Sequence, residues 1–155
     1  MNLDFREINI SPEQTNEKHI IKEKRIKDGY EYVLDRKGNV VKDSLGNDIK
    51  IDKFKKVICN FYQFSQYKSV QIGAKVRVTD LQTKQEIKSY PISSEYVFEN
   101  VYANHRGDKR ALENNLTVLL DNSAIAFPTN EEMVYDTGED LKARLKSIVQ
   151  KHNFK

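Results

Sequence analysis

The sequence has no tryptophan, one cysteine, two methionines, three prolines and six glycines in 155 residues. The lone Cys59 excludes an internal disulfide and leaves the redox compartment open. No apolar run approaches the ~18 residues that a membrane-spanning helix needs. The N-terminal stretch MNLDFREINISPEQ lacks a basic segment followed by an apolar one, so it does not read as a secretory signal. Neither sign of charge dominates: 26 basic against 23 acidic residues leave +3, without the large net charge that accompanies disorder. Gly-rich phosphate-binding motifs, a Gly-x-Ser-x-Gly elbow and a recognisable pair of catalytic carboxylates are also missing.

What is present points to a packed fold. Hydrophobic residues make up 38% and charged residues 32%, and eight Tyr with seven Phe supply bulky core material. A chain of this length buries roughly 70% of the surface it exposes when unfolded, so we expect a single domain over 1–155. Met1 stands directly against a strand-like stretch, the start expected of the C-terminal part of a longer protein.

The most distinctive local feature is a repeat. Leu34 to Lys50 reads LDRKGNVVKDSLGNDIK, in which Asp35, Gly38, Asn39, Val41 and Lys42 recur as Asp43, Gly46, Asn47, Ile49 and Lys50. Each copy is an Asp-x-x-Gly-Asn turn, with Gly free to take the positive φ that such a reversal demands. Tyr30, Tyr32 and Leu34 alternate just before it, so 30–50 is expected to form a double-turn hairpin excursion.

Strand patterns surround the repeat. Leu3 to Ile10 is strand-like and ends at Ser11-Pro12. Glu17 to Lys27 is dense in Lys and Glu, but Ile20, Ile21 and Ile26 make too thin a helical stripe, so Thr15 to Leu34 is read as an exposed strand. Phe54 to Tyr67 is apolar on both faces, as a central strand is. Val70, Ile72, Ala74, Val76 and Val78 alternate with polar residues through Thr79. Gln85 to Tyr90 should return antiparallel, Pro91 interrupts, and Glu95 to Tyr102 forms another strand. A helix is expected over Asp108 to Leu120. A second opens at the capping box of Thr129 and Glu132, weakens or breaks at Gly138, and resumes through Leu141, Leu145, Ile148 and Val149. The fold class is therefore α+β, a mostly antiparallel sheet of five or six strands with two C-terminal helices packed on one face.

Candidate chemistry is sparse. Cys59 with His105 as base would make a nucleophile pair, but Cys59 lies mid-strand, where a free thiol belongs to a core. His19, His105 and His152 lack the spacing of a zinc site. The Asp-x-x-Gly-Asn turns lack the convergent oxygens of a calcium loop. His105, Arg106, Asp108 and Arg110 form the most polar stretch and are a candidate anion site, against the simpler alternative of Asp108 as a helix N-cap among solvated neighbours. Lys22, Lys24, Arg25, Lys27, Lys53, Lys55 and Lys56 near Phe61, Tyr62 and Phe64 raise a single-strand nucleic-acid reading. Glu17, Glu23, Asp28 and Glu31 dilute that patch, so no nucleic acid is expected. No cofactor or metal is expected either.

Five stretches carry a resemblance: FREINISPEQ, IKEKRIKDGYEYVLD, GNVVKDSLGNDIK, SSEYVFENVYANHRGDKRAL and FPTNEEMVYDTGEDLKARLK. Together they resemble the C-terminal region of uncharacterised Bacteroidota envelope lipoproteins, whose N-terminal region is helical and tetratricopeptide-like. The likeness covers nearly the whole chain and carries over no catalytic residue. It implies a cell-envelope location, with membrane attachment only through a lipidated cysteine upstream of this chain. Cys59 is not that cysteine.

The functional expectation is a non-catalytic protein-interaction or assembly module of an envelope lipoprotein, binding an envelope protein or a second copy of itself. Its candidate contact residues are Tyr30, Tyr32, Asp35, Gly38, Asn39, Asp43, Gly46 and Asn47, since exposed strands and turns recruit partners. The rival expectations are a hydrolase of envelope glycan or peptide with an unreadable site, and a nucleic-acid-binding domain.

Overall fold

The computed structural model describes residues 1–152, the last of them by its backbone alone, so the His152 side chain lies outside the description. The chain is α+β, with strands β1 (Asn2–Ile10), β2 (Gln14–Tyr32), β3 (Lys50–Thr79) and β4 (Glu86–Gly107) preceding helices α1 (Asn114–Thr117) and α2 (Asn130–His152). The sheet order is β1-β3-β2, with β4 also paired to β3.

Four strands replace the five or six expected, for two local reasons. No Gly or Pro separates Phe54–Tyr67 from Val70–Thr79, so β3 runs unbroken for 30 residues. Pro91 does not end its strand, because β4 pairs with β3 alone and an edge strand tolerates a residue without an N–H. The segment Thr15 to Lys27 is strand, as its thin apolar stripe implies.

The chain divides into two compact units. One combines Met1–Asn16, Ser65–Val101 and the chain from Ala124 onward. Here β1 pairs antiparallel with β3, Leu3 opposite Val76 and Ile10 opposite Val70, with a bulge between Phe5 and Glu7. Even-numbered Val70, Ile72, Ala74 and Val76 are buried, and Met133 and Leu141 of α2 close over the first three. The capping box forms: Glu132 Oε2 accepts from the Thr129 amide at 2.9 Å, and Thr129 Oγ1 accepts from the Glu132 amide at 3.2 Å. Of the two alternatives at Gly138, an interruption is not found: α2 is one continuous helix. Buried Lys68 donates to Pro128 O at 2.7 Å and to Glu13 Oε1 at 3.1 Å, so its charge is partnered.

The other unit combines Glu17–Phe64 with Tyr102–Ser123. Its core is Val57, Cys59, Phe61, Ala103, Ala111 and Leu112, backed by partly buried Ile20, Ile26, Leu116, Leu119 and Leu120. The helix expected over Asp108 to Leu120 is broken into a 3-10 turn at Lys109–Ala111, the one-turn α1, and a 3-10 turn at Val118–Asp121. Leu112 and Glu113 are extended, with ψ of 147° and 157°. That break keeps Leu112 in the core, and Asn114, Asn115, Thr117 and Val118 are too weak as helix formers to resist it. Ala111 and Leu112, with Leu116, Leu119 and Leu120, thus cover the core of this unit, as Met133 and Leu141 of α2 cover that of the other.

Candidate interaction surface

The repeat between β2 and β3 folds as two copies of one turn. Asp35 Oδ1 accepts from the amides of Lys37 (2.8 Å) and Asn39 (2.9 Å), and Asp43 Oδ1 does the same for Leu45 (2.8 Å) and Asn47 (2.9 Å). Gly38 and Gly46 take φ of 84° and 85°, values at which a Cβ is strained. These amides, led by those of Asn39 and Asn47, hold the Asp35 and Asp43 carboxyls below the usual carboxylate range. The carboxylate oxygens are thereby spent on the turns themselves.

The two turns are tied together through their flanks. Val33 N donates to Ile49 O (2.9 Å), Val41 N to Val33 O (2.8 Å) and Ile49 N to Val41 O (2.9 Å), closing a ring of backbone bonds. Isolated bridges join Leu34 to Val40 and Lys42 to Asp48. The 30–50 excursion is therefore ordered by its own hydrogen bonds while burying little: Leu34, Val40, Leu45 and Ile49 all stay exposed, Leu45 at 85%.

Tyr30 and Tyr32 stand at the entry of the excursion and Lys50 at its exit. The two rings meet edge-on, 5.5 Å apart at 86°, and Lys50 Nζ sits 4.4 Å from the Tyr30 centroid and 5.4 Å from that of Tyr32. A hydrogen bond from Tyr32, helped by the Lys50 ammonium, lowers the Tyr30 hydroxyl below its ordinary pKa, and the same bond raises Tyr32. The sequence singled out both tyrosines but not Lys50, whose role depends on two strand ends meeting across the whole double turn.

The polar stretch behaves differently. Asp108 caps the 3-10 turn, accepting from Arg110 N at 2.9 Å, and clasps the Arg110 guanidinium through Nε (3.0 Å) and Nη2 (2.6 Å). The Arg110 side chain and amide pull the Asp108 carboxyl down to about 2. Arg110 is thus committed to Asp108, Arg106 is exposed, and His105 lines a hollow with Ala103, Asn104, Lys109 and Leu120. Asp108 stands as the cap of the 3-10 turn, as the N-cap alternative has it, with Arg110 as its partner.

Cys59 is fully buried, its Sγ 3.8 Å from Asn60 O, and burial with the nearby Asp108 charge pushes its thiol pKa up. Among the described residues no hydrogen bond joins it to His105. His19 stacks on Tyr62 (4.6 Å, 8°), with its Nε2 hydrogen-bonded to Asn60 Oδ1 at 3.0 Å. The basic residues near Phe54 and Tyr62 face acids across the strands: Lys27 with Asp52 (2.8 Å), Lys55 with Asp28 (3.4 Å) and Lys56 with Glu23 (2.8 Å). Among the described residues no group of three or more His, Cys, Asp or Glu is placed to hold a metal ion, and no helix is long and apolar enough to cross a membrane. No protein-family model, curated protein or solved structure matches this chain.

Sequence reasoning placed no contact surface on β1. Phe5, Ile8 and Ile10 are 62%, 52% and 41% exposed although they share the face of the buried Val70, Ile72 and Ala74. The signal was available as a slip in alternation, since apolar residues fall at 3 and 5 and then at 8 and 10.

Proposed function

We propose that this chain is a non-catalytic protein-interaction module of a cell-envelope lipoprotein, and that residues 30–50 form its contact surface for another envelope protein. One observation carries the reading: a segment held in shape by two Asp-centred turns leaves Leu34, Val40, Leu45 and Ile49 in water. Ordering a backbone costs conformational entropy, and here little burial within the chain offsets that cost. Binding would supply the missing burial, with Tyr30 and Tyr32 as amphipathic anchors that lose few rotamers. The envelope location comes from the sequence resemblance.

The test replaces 35–48 by a short Gly-rich turn and uses each form as bait against detergent-solubilised envelope extract. The expected result is one protein captured by the native chain and lost from the variant, with thermal unfolding of the two cores unchanged. Equal capture by both forms overturns the reading.

A further inference from the structure

β1 ends the sheet order, pairing with β3 on one side only, and its composition is self-complementary. The bulge between Phe5 and Glu7 puts Leu3, Phe5, Ile8 and Ile10 opposite Val76, Ala74, Ile72 and Val70, all on one face. Without that bulge Ile8 and Ile10 would turn to the other face, because side chains alternate along a strand. The four apolar residues are consequently spaced symmetrically about the midpoint between Arg6 and Glu7. Phe5, Ile8 and Ile10 are exposed along the open edge.

Backbone direction agrees with this symmetry. Ser11 N is turned towards β3, donating to Ser69 O at 2.9 Å. Alternation then leaves the N–H and C=O groups of Ile10 and Ile8 turned outward, and the shared register does the same for Phe5 and Leu3. These are unpaired ladder groups of the kind that recruit another strand.

We infer that β1 pairs antiparallel with β1 of a second copy of this chain, about a two-fold axis between Arg6 and Glu7. In that register Phe5 lies opposite Ile8 of the other copy, Leu3 opposite Ile10, and Arg6 opposite Glu7, each contact occurring twice as two-fold symmetry requires. Charge complementarity selects the register. Among the described residues Arg6 has no ion pair, whereas the neighbouring Asp4 is already engaged by Arg77. Edge strands that avoid association carry inward-pointing charges or prolines, and this edge has neither among its core-facing residues. A bulge usually turns an edge away, but here the two bulges meet at the axis and preserve the match.

This inference goes beyond the envelope-partner reading and uses a different strand. Its test is sedimentation velocity on the purified chain across a concentration series up to about 1 mM. The native chain should form a dimer. R6E and E7R, both at exposed positions that spare the core, should each weaken dimerisation by at least about tenfold, because two symmetry-related pairs become like-charged. Mixing R6E with E7R should restore association as a heterodimer, since each then offers the sign the other lacks. A monomeric native chain throughout the series overturns the inference, as does a dimer indifferent to both substitutions. A monomer that still captures its envelope protein through 30–50 overturns this inference alone.

Discussion

Two glycines with opposite requirements show how much depends on a single residue. Gly107 closes β4 against β3 at φ 105°, and a Cβ there would meet Ile58 O at 2.4 Å. The Asp108 amide bonds that same oxygen at 3.0 Å, so the collision and the strained φ fall where the polar stretch is anchored. Gly138 lies inside α2 with nothing within 4 Å of where a Cβ would stand, and gains nothing from its freedom. G107A should destabilise the chain by at least about 2 kcal/mol. G138A should stabilise it by about 0.5–1 kcal/mol, by removing backbone entropy from the unfolded state. Urea unfolding of both variants checks the two signs. The sequence offered no distinction between these residues, because the Ile58 carbonyl reaches Gly107 only through strand pairing.

Elements were legible where their signals are local. The Thr129 and Glu132 capping box was readable because a hydroxyl, an amide and a carboxylate three residues apart meet in one turn. T129A should cost about 1 kcal/mol, read as a lowered urea midpoint, and T129S should recover most of it. The Asp-x-x-Gly-Asn turns were readable for the same reason, each Asp bonding residues two and four positions on. The break at Leu112 and Glu113 was not. Ala111, Leu112 and Leu116 suit a helical stripe, but a straight helix through Asp108 to Leu120 was displaced by burial of Leu112 against the Val57, Cys59 and Phe61 row. Nor was the length of β3 readable, since no residue in Ser65 to Ser69 states whether the strand stops or continues.

At the scale of the whole molecule, charge placement decides more than charge count. The basic residues of β2 and β3 suggested a track for single-stranded nucleic acid, yet Lys27, Lys53, Lys55 and Lys56 each sit across from an acid at 2.8–3.4 Å. Exposed pairs like these add little stability, but they cancel the field that a phosphate backbone would feel. Fluorescence anisotropy with a labelled single-stranded oligonucleotide at physiological salt should therefore detect no saturable binding, and a complex whose affinity falls steeply with added salt would contradict this. Composition, alternation and turn chemistry were sufficient by themselves for the α+β class, the double turn and the cap of α2, because each rests on residues within a few positions of one another. Thr15 to Lys27, dense in Lys and Glu, carried signals for both helix and strand until strand pairing decided it. Tertiary structure alone decided that β3 is continuous, that the helical segments serve separate cores, that Asp108 consumes Arg110, and that Lys50 joins Tyr30 and Tyr32. It also decided which apolar residues stay in water: Phe5, Ile8 and Ile10 are as apolar as their buried neighbours opposite, and only the end of the sheet at β1 leaves them uncovered.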